Sequence, residues 1–264
     1  MLGRLLKYDL KWSIKLIAIF LGLGVIFTIL GMLFDLIPNS LLFDIVAKIC
    51  KGASIAMYAN ALCNSIFRSW ARMNLNFYKD ESYLTHTLPI KKSTHLASKV
   101  ISQLILIIVS SIAFILGIVI MYVDKDVLEL IKTTIEFTSN TLNTSVASIL
   151  IVAGFLISLE IIFLTFCGNF GIIVGHMFNK RKMIMSLIFG FLSYILVQYF
   201  LLMVFGICSL FNSDLYNIMF QKSNIMNYGS FMLISYIAII LYTTFNIILY
   251  ILTNYFFKKG VNID

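Results

Sequence analysis

The chain alternates between long apolar blocks and shorter polar segments, and six of the blocks contain about twenty residues or more. A helix of about 20 apolar residues is long enough to cross the ~30 Å hydrocarbon core of a bilayer. We therefore predict an all-α, polytopic membrane protein in which residues 1–264 form one transmembrane domain. The six predicted spans cover residues 14–34, 45–67, 100–123, 146–170, 183–210 and 232–256.

The distribution of basic residues predicts how these spans are oriented. Fifteen of the 20 Lys and Arg residues lie around the start of the first span, in the loops after spans two and four, and after span six. Lys and Arg accumulate on the cytoplasmic side of membrane proteins. We therefore expect a multi-pass protein of the plasma membrane with cytoplasmic N- and C-termini. The same bias accounts for the net charge of +8 without a nucleic-acid partner.

The sequence contains none of the motifs that would predict an enzyme. It has no H-E-x-x-H pair, no G-x-S-x-G turn and no G-x-x-x-x-G-K-[ST] loop. The three histidines are scattered, and the four cysteines lack the spacing of a metal site. We predict no catalytic, cofactor or metal site, so any ATP hydrolysis must be supplied by another chain.

Two loops differ from simple connections. Residues 124–145 place apolar side chains at helical spacing, which predicts a short helix on the outer membrane surface. The cytoplasmic loop 68–99 contains apolar and aromatic side chains among charges, so these should pack against a protein partner or enter the inner leaflet as a surface helix. Pro89 should end any helix in this loop.

The string Glu81-Ser82-Tyr83-Leu84-Thr85-His86-Thr87-Leu88-Pro89, followed by Ser98-Lys99, resembles bacterial permeases that form the membrane subunits of type-two ATP-binding-cassette (ABC) exporters. The segments Leu5–Lys11 and Gly175–Arg181 are similar to theirs as well. The resemblance implies a coupling helix between spans two and three, separate ATPase subunits that bind ATP and Mg²⁺, and a second permease copy or homologue. The implied ATPase-coupling residues are Phe77, Tyr78, Asp80, Glu81, Tyr83, Leu84, Leu88 and Pro89.

Glu160 is the one acid deep within an apolar block. Placing a carboxylate at the centre of a bilayer costs about 2.5–3.5 kcal/mol, so its side chain should face protein or water. It could form a hydrogen bond across a helix interface, or it could line a substrate path. Gly171-x-x-x-Gly175 on the same helix predicts close helix packing.

Span two has a stripe of small and amide side chains, which indicates a tight protein contact or a wet cavity wall. Lys48 is close enough to the outer surface to extend toward the headgroups instead. The resemblance implies that this stripe lines the permease dimer interface and the exit path. Its members are Lys48, Gly52, Ala56, Ala59 and Cys63, with Asn60 at its border and Asn64 further round the helix.

These observations favour a permease subunit that exports a drug, an antimicrobial peptide or a lipid-like molecule. Two alternatives remain open. The chain could be a non-pumping membrane immunity or scaffold protein, or it could be an ion-coupled carrier that uses Glu160.

Overall fold

The computed structural model describes residues 1–37, 40–121, 133, 136, 145–220 and 228–260. Within these ranges the regular structure is helical and contains no strand, which confirms the predicted all-α class. The predicted surface helix at 124–145 lies almost entirely outside them. The helices are α1 (Leu2–Asp35), α2 (Leu41–Tyr78), α3 (Ser82–Thr87), α4 (Lys92–Met121), α5 (Val146–Gly175), α6 (Lys182–Phe211), α7 (Ser213–Phe220) and α8 (Tyr228–Lys259).

Five helices in the described residues are long and apolar enough to cross a membrane, namely α1, α4, α5, α6 and α8. This number supports a multi-pass membrane protein but not the predicted count of six spans. The predicted span at 45–67 lies in α2, which is not among the five. Its charged, serine and asparagine side chains make α2 more polar than the other long helices. The orientation of the termini stays a prediction.

The described helices fall into two compact units, one containing α1 to α4 and the other α5 to α8. In the first unit, α1, α2 and α4 pack against one another. Tyr58 of α2 lies between two glycines, because a Cβ at Gly24 would come within 2.8 Å of one side of its ring and a Cβ at Gly117 would collide with the other. Thr28 and Ser54 join the same contact through a hydrogen bond of 2.8 Å.

In the second unit, α5 packs against both α6 and α8. The contact between α5 and α6 depends on small residues, because a Cβ at Gly171 would lie 2.6 Å from the backbone nitrogen of Gly190. A Cβ at Gly175 would overlap the backbone of Ser186. The packing motif predicted from Gly171 and Gly175 is therefore confirmed, with a second pair of small residues facing it.

Candidate functional site

The loop between α2 and α4 is held in a defined conformation. Helix α2 continues to Tyr78, a short turn follows, and α3 begins at Ser82. Leu88 then adopts an extended backbone with ψ of 135° directly before Pro89. A residue that precedes proline is disfavoured in the helical region, so the predicted end of the helix at Pro89 is confirmed.

Helix α3 presents an apolar surface to its surroundings, which we call the α3 patch: Tyr83, Leu84 and Leu88. These side chains are 74%, 67% and 45% exposed, respectively. Asp80 and Pro89 beside them are exposed as well, whereas Ser82 is buried. Large apolar side chains exposed together commonly mark an interaction surface. The patch contains three of the eight coupling residues that the resemblance implied, and Asp80, Glu81 and Pro89 lie beside it in the chain.

Two of the implied coupling residues lie elsewhere. Phe77 and Tyr78 belong to the last turn of α2 and are almost completely buried, with 0% and 1% exposure. Both rings are packed in the interior of the first unit, and a role for them in coupling stays a prediction. Burial also raises the pKa of the Tyr78 hydroxyl, which therefore remains protonated. His86 accompanies them, since its Nε2 lies 3.1 Å from the carbonyl oxygen of Phe77.

A buried charge network connects three helices next to the α3 patch, and Asp9 of α1 is at its centre. The Asp9 carboxylate accepts a hydrogen bond of 2.9 Å from the Ser98 hydroxyl and a second from the Lys99 ammonium group. Arg72 Nε of α2 donates a third at 3.3 Å. The side chains of Asp9 and Lys99 are only 5% and 7% exposed. Such buried ions require partners, because neither is solvated by water.

Glu81 extends this network to α3. Its two carboxylate oxygens accept hydrogen bonds of 2.9 and 2.8 Å from Arg72 Nη1. Asn76 donates to the same carboxylate and accepts a hydrogen bond from Lys99. Glu81 is also the N-cap residue of α3. The two acids and two bases balance in charge, so the network joins α1, α2 and α4 to the start of α3 as an electrically neutral cluster.

Trp12 and Arg68 contact each other about one helical turn from Asp9 and Arg72, respectively. The Arg68 guanidinium group lies 3.8 Å from the centre of the Trp12 ring and donates to the Trp12 carbonyl oxygen at 3.2 Å. Sequence reasoning missed the roles of Asp9 and Arg72. The available signal was a single acid at position 9 within a basic N-terminal segment, a pattern that predicts an ion pair but not its partner.

Glu160 has hydrogen-bond partners on the neighbouring helix. Its Oε1 accepts hydrogen bonds of 2.8 Å from the Tyr194 hydroxyl and 3.2 Å from Gln198 Nε2. Gln198 also lies 3.2 Å from the Tyr242 hydroxyl of α8. The expected hydrogen bond across a helix interface is therefore confirmed. A role in a substrate path stays a prediction.

The predicted stripe on α2 lies opposite the side of the helix that packs on α1 and α4. Lys48, Gly52, Ala56 and Asn60 are exposed, and Asn64 is half-buried. The amides of Asn60 and Asn64 donate hydrogen bonds of 2.9 Å to the carbonyl oxygens four residues earlier. These bonds reduce the cost of placing the amides in an apolar environment. The dimer interface that the resemblance implied stays a prediction.

No protein-family model, curated protein or solved structure matches this chain.

Proposed function

We propose that this chain is the membrane-spanning subunit of an ATP-driven exporter and that a separately encoded ATPase binds the α3 patch. The observation that carries this proposal is the combination of an exposed apolar patch with a buried ionic attachment. Tyr83 and Leu84 are exposed, while Glu81, two residues before Tyr83 in the chain, is bonded to Arg72. A partner that binds the patch therefore contacts an element linked to three long helices.

The chemistry of the α3 patch favours a protein partner over the lipid surface. Two large apolar side chains and an aromatic ring stand beside Asp80 and a partly exposed Glu81. Acidic side chains are repelled by the anionic lipids of a cytoplasmic leaflet. Aromatic side chains are enriched at the centres of protein interfaces, with polar groups at the rim. The similarity of Glu81–Pro89 to ABC permeases supports the same assignment.

Transport would follow from movement of this attachment. When the ATPase subunits close on ATP, they displace α3, and the charge network transmits the displacement to α1, α2 and α4. A network of charge-assisted hydrogen bonds suits this role, because it links the helices with defined geometry. ATP and Mg²⁺ belong to the partner in this scheme, and a second permease copy or homologue would complete the transporter.

Co-purification tests the proposed docking. The ATPase subunit that the proposal requires, expressed together with this chain, should co-purify with the wild-type protein and should be lost from the Tyr83→Ala/Leu84→Ala variant. Tyr8→Ala is the matched control, because Tyr8 is 67% exposed on α1 and lies outside the patch. Equal recovery of the ATPase with the double variant, inserted and folded as the wild type, would refute docking at α3.

Cysteine labelling tests the orientation that this proposal requires. A cysteine placed at the exposed position Thr87, in a variant without the four native cysteines, should react with a membrane-impermeant maleimide only after the cells are opened. Labelling in intact cells would place the α3 patch outside the cytoplasm and would exclude coupling to a cytoplasmic ATPase.

The Glu160 hydrogen bonds favour one alternative, an ion-coupled carrier. Ionisable residues within membrane helices commonly mark ion or proton pathways. A carrier would transport its substrate in vesicles that contain the purified chain alone, driven by an ion gradient. An exporter of the proposed kind would require the ATPase and ATP.

A further inference from the structure

Glu160 lies at the middle of one of the helices that can cross a membrane. Helix α5 runs from Val146 to Gly175, so Glu160 is 14 residues from its start and 15 from its end. With a rise of 1.5 Å per residue, each end is about 21–22 Å away. A carboxylate at this depth has neither bulk water nor headgroups within reach.

Among the described residues of its unit, no cationic side chain is bonded to this acid. The sequence contains no Lys or Arg within residues 146–179, 183–221 or 223–257. Among the side chains that the structure describes, those hydrogen-bonded to Glu160 are the neutral Tyr194 and Gln198. These donors orient the carboxylate but leave its charge unbalanced.

Tyr194, whose hydroxyl is bonded to the carboxylate, belongs to a group of packed aromatic rings. The ring of Phe163, one turn along α5, lies 5.7 Å from that of Tyr194 and 5.5 Å from that of Tyr242, measured between ring centres. Glu160, Tyr194 and Gln198 are each only partly buried. Phe163 and Tyr242 are buried behind them, so a ligand on the open side of the helix pair would contact the carboxylate and the Tyr194 ring.

We propose that Glu160, Tyr194 and Gln198 form a binding site for a monovalent organic cation with an apolar body, with Tyr242 packed behind them. The carboxylate supplies the opposite charge, and aromatic rings attract cations through their faces. The Tyr194 hydroxyl and the Gln198 amide hold the carboxylate in place through hydrogen bonds. A bare metal ion suits this set less well, because Ca²⁺ takes six to eight oxygen ligands and the site has one carboxylate.

This inference rests on the proposed export function and specifies its substrate class as cationic amphiphiles. It also explains why the acid is placed within an otherwise apolar span. An uncharged lipid-like substrate would gain nothing from a carboxylate that costs free energy to bury.

Binding of ethidium to the purified chain in lipid nanodiscs, followed by fluorescence, tests the site without any ATPase. Ethidium is a monovalent aromatic cation. We expect Glu160→Gln, which keeps the shape of the side chain and removes its charge, to weaken binding by about tenfold or more, corresponding to about 1.4 kcal/mol. Glu160→Asp keeps the charge and should restore part of the affinity. Empty nanodiscs supply the background from lipid partitioning.

Glu136→Gln is the matched control, because it makes the same chemical change at an exposed position outside α5. It should bind ethidium as the wild type does. An anionic dye of similar size, anilinonaphthalene sulfonate, should bind to Glu160→Gln at least as tightly as to the wild type. Gel filtration of each variant establishes that it is folded.

Two results would overturn the proposal: equal ethidium affinity for the wild type and Glu160→Gln, or equal losses for Glu160→Gln and Glu160→Asp. The first would mean that the charge of Glu160 does not recruit cations, and the second that the residue acts only in packing. Either result leaves the co-purification of the ATPase unaffected, so this inference and the proposed function can fail separately.

Discussion

The buried pair of Asp9 and Lys99 allows a quantitative prediction for the stability of the first unit. Replacing Asp9 by Asn keeps the shape of the side chain but removes one of the two negative charges in the network. Arg72 and Lys99 are then balanced by Glu81 alone, and the network carries an uncompensated positive charge. Lys99 remains buried, with a side chain that is 7% exposed.

Removing one partner of a buried ion pair costs about 3–5 kcal/mol, because the remaining charge is neither solvated nor paired. We expect this loss in the free energy of unfolding for Asp9→Asn, and a similar loss for Lys99→Met. The double variant removes one charge of each sign and restores neutrality, with Arg72 and Glu81 still paired. Its loss should therefore be at least about 2 kcal/mol smaller than the sum of the two single losses.

Tryptophan fluorescence during denaturant titration in mixed micelles measures these values. The chain has two tryptophans, Trp12 and Trp70, and both belong to the helices of the first unit. Their emission therefore reports on the unit that contains the network. Trp12 also lies directly beneath Arg68, so it should detect a change in the neighbouring charges.

Glu81→Gln provides the internal comparison. The Glu81 side chain is 44% exposed, so water screens its charge and we expect a loss of no more than about 1 kcal/mol. The reasoning would be refuted if Asp9→Asn and Lys99→Met each lay within about 0.5 kcal/mol of the wild type. Strict additivity of the two single losses in the double variant would also refute it, since the residues would then not be coupled.

Two predictions concern helix packing. Gly175→Val should lower the stability of the second unit by about 1–3 kcal/mol or prevent folding, because the new side chain would overlap Ser186. Gly154→Val is the control and should lower the stability far less, because nothing lies within 4 Å of a Cβ there. Thermal unfolding followed by circular dichroism compares the two, and equal losses would contradict the packing argument. Tyr58→Phe removes the hydroxyl that lies 3.2 Å from Thr28 Oγ1, and the same measurement should show a loss of stability of about 0.5–1.5 kcal/mol. An unchanged stability would mean that this hydrogen bond contributes nothing.

The sequence predicted helices well where the apolar pattern decides them. All six predicted spans lie within or nearly within helices, because long apolar blocks have few alternatives in a membrane. The apolar pattern does not show how far each helix continues beyond its span. The first predicted span begins at residue 14, whereas α1 begins at Leu2. Polar side chains such as Asp9 continue the helix because partners on other helices satisfy them, and a single helix pattern does not reveal those partners.

The candidate site was predictable only in its exposed part. Tyr83 and Leu84 stand out in the sequence because apolar side chains are unexpected in a charged loop. Phe77 and Tyr78 satisfy the same criterion but are buried. The difference lies in tertiary packing, because both rings belong to the last turn of α2 and are enclosed in the interior of the unit. The partners of Asp9 are up to 90 residues away in the chain and depend on tertiary packing.

The length of α2 sets the scale of motion at its far end. Its 38 residues correspond to about 57 Å, nearly twice the thickness of the hydrocarbon core. A straight rod of that length that pivots at one end by about 5° displaces the other end by about 5 Å, which is roughly one helical turn. If the pivot lies instead at Tyr58, which is held between Gly24 and Gly117, Tyr78 is about 30 Å away along the helix and moves by about 2.6 Å, at the point where the chain turns toward α3.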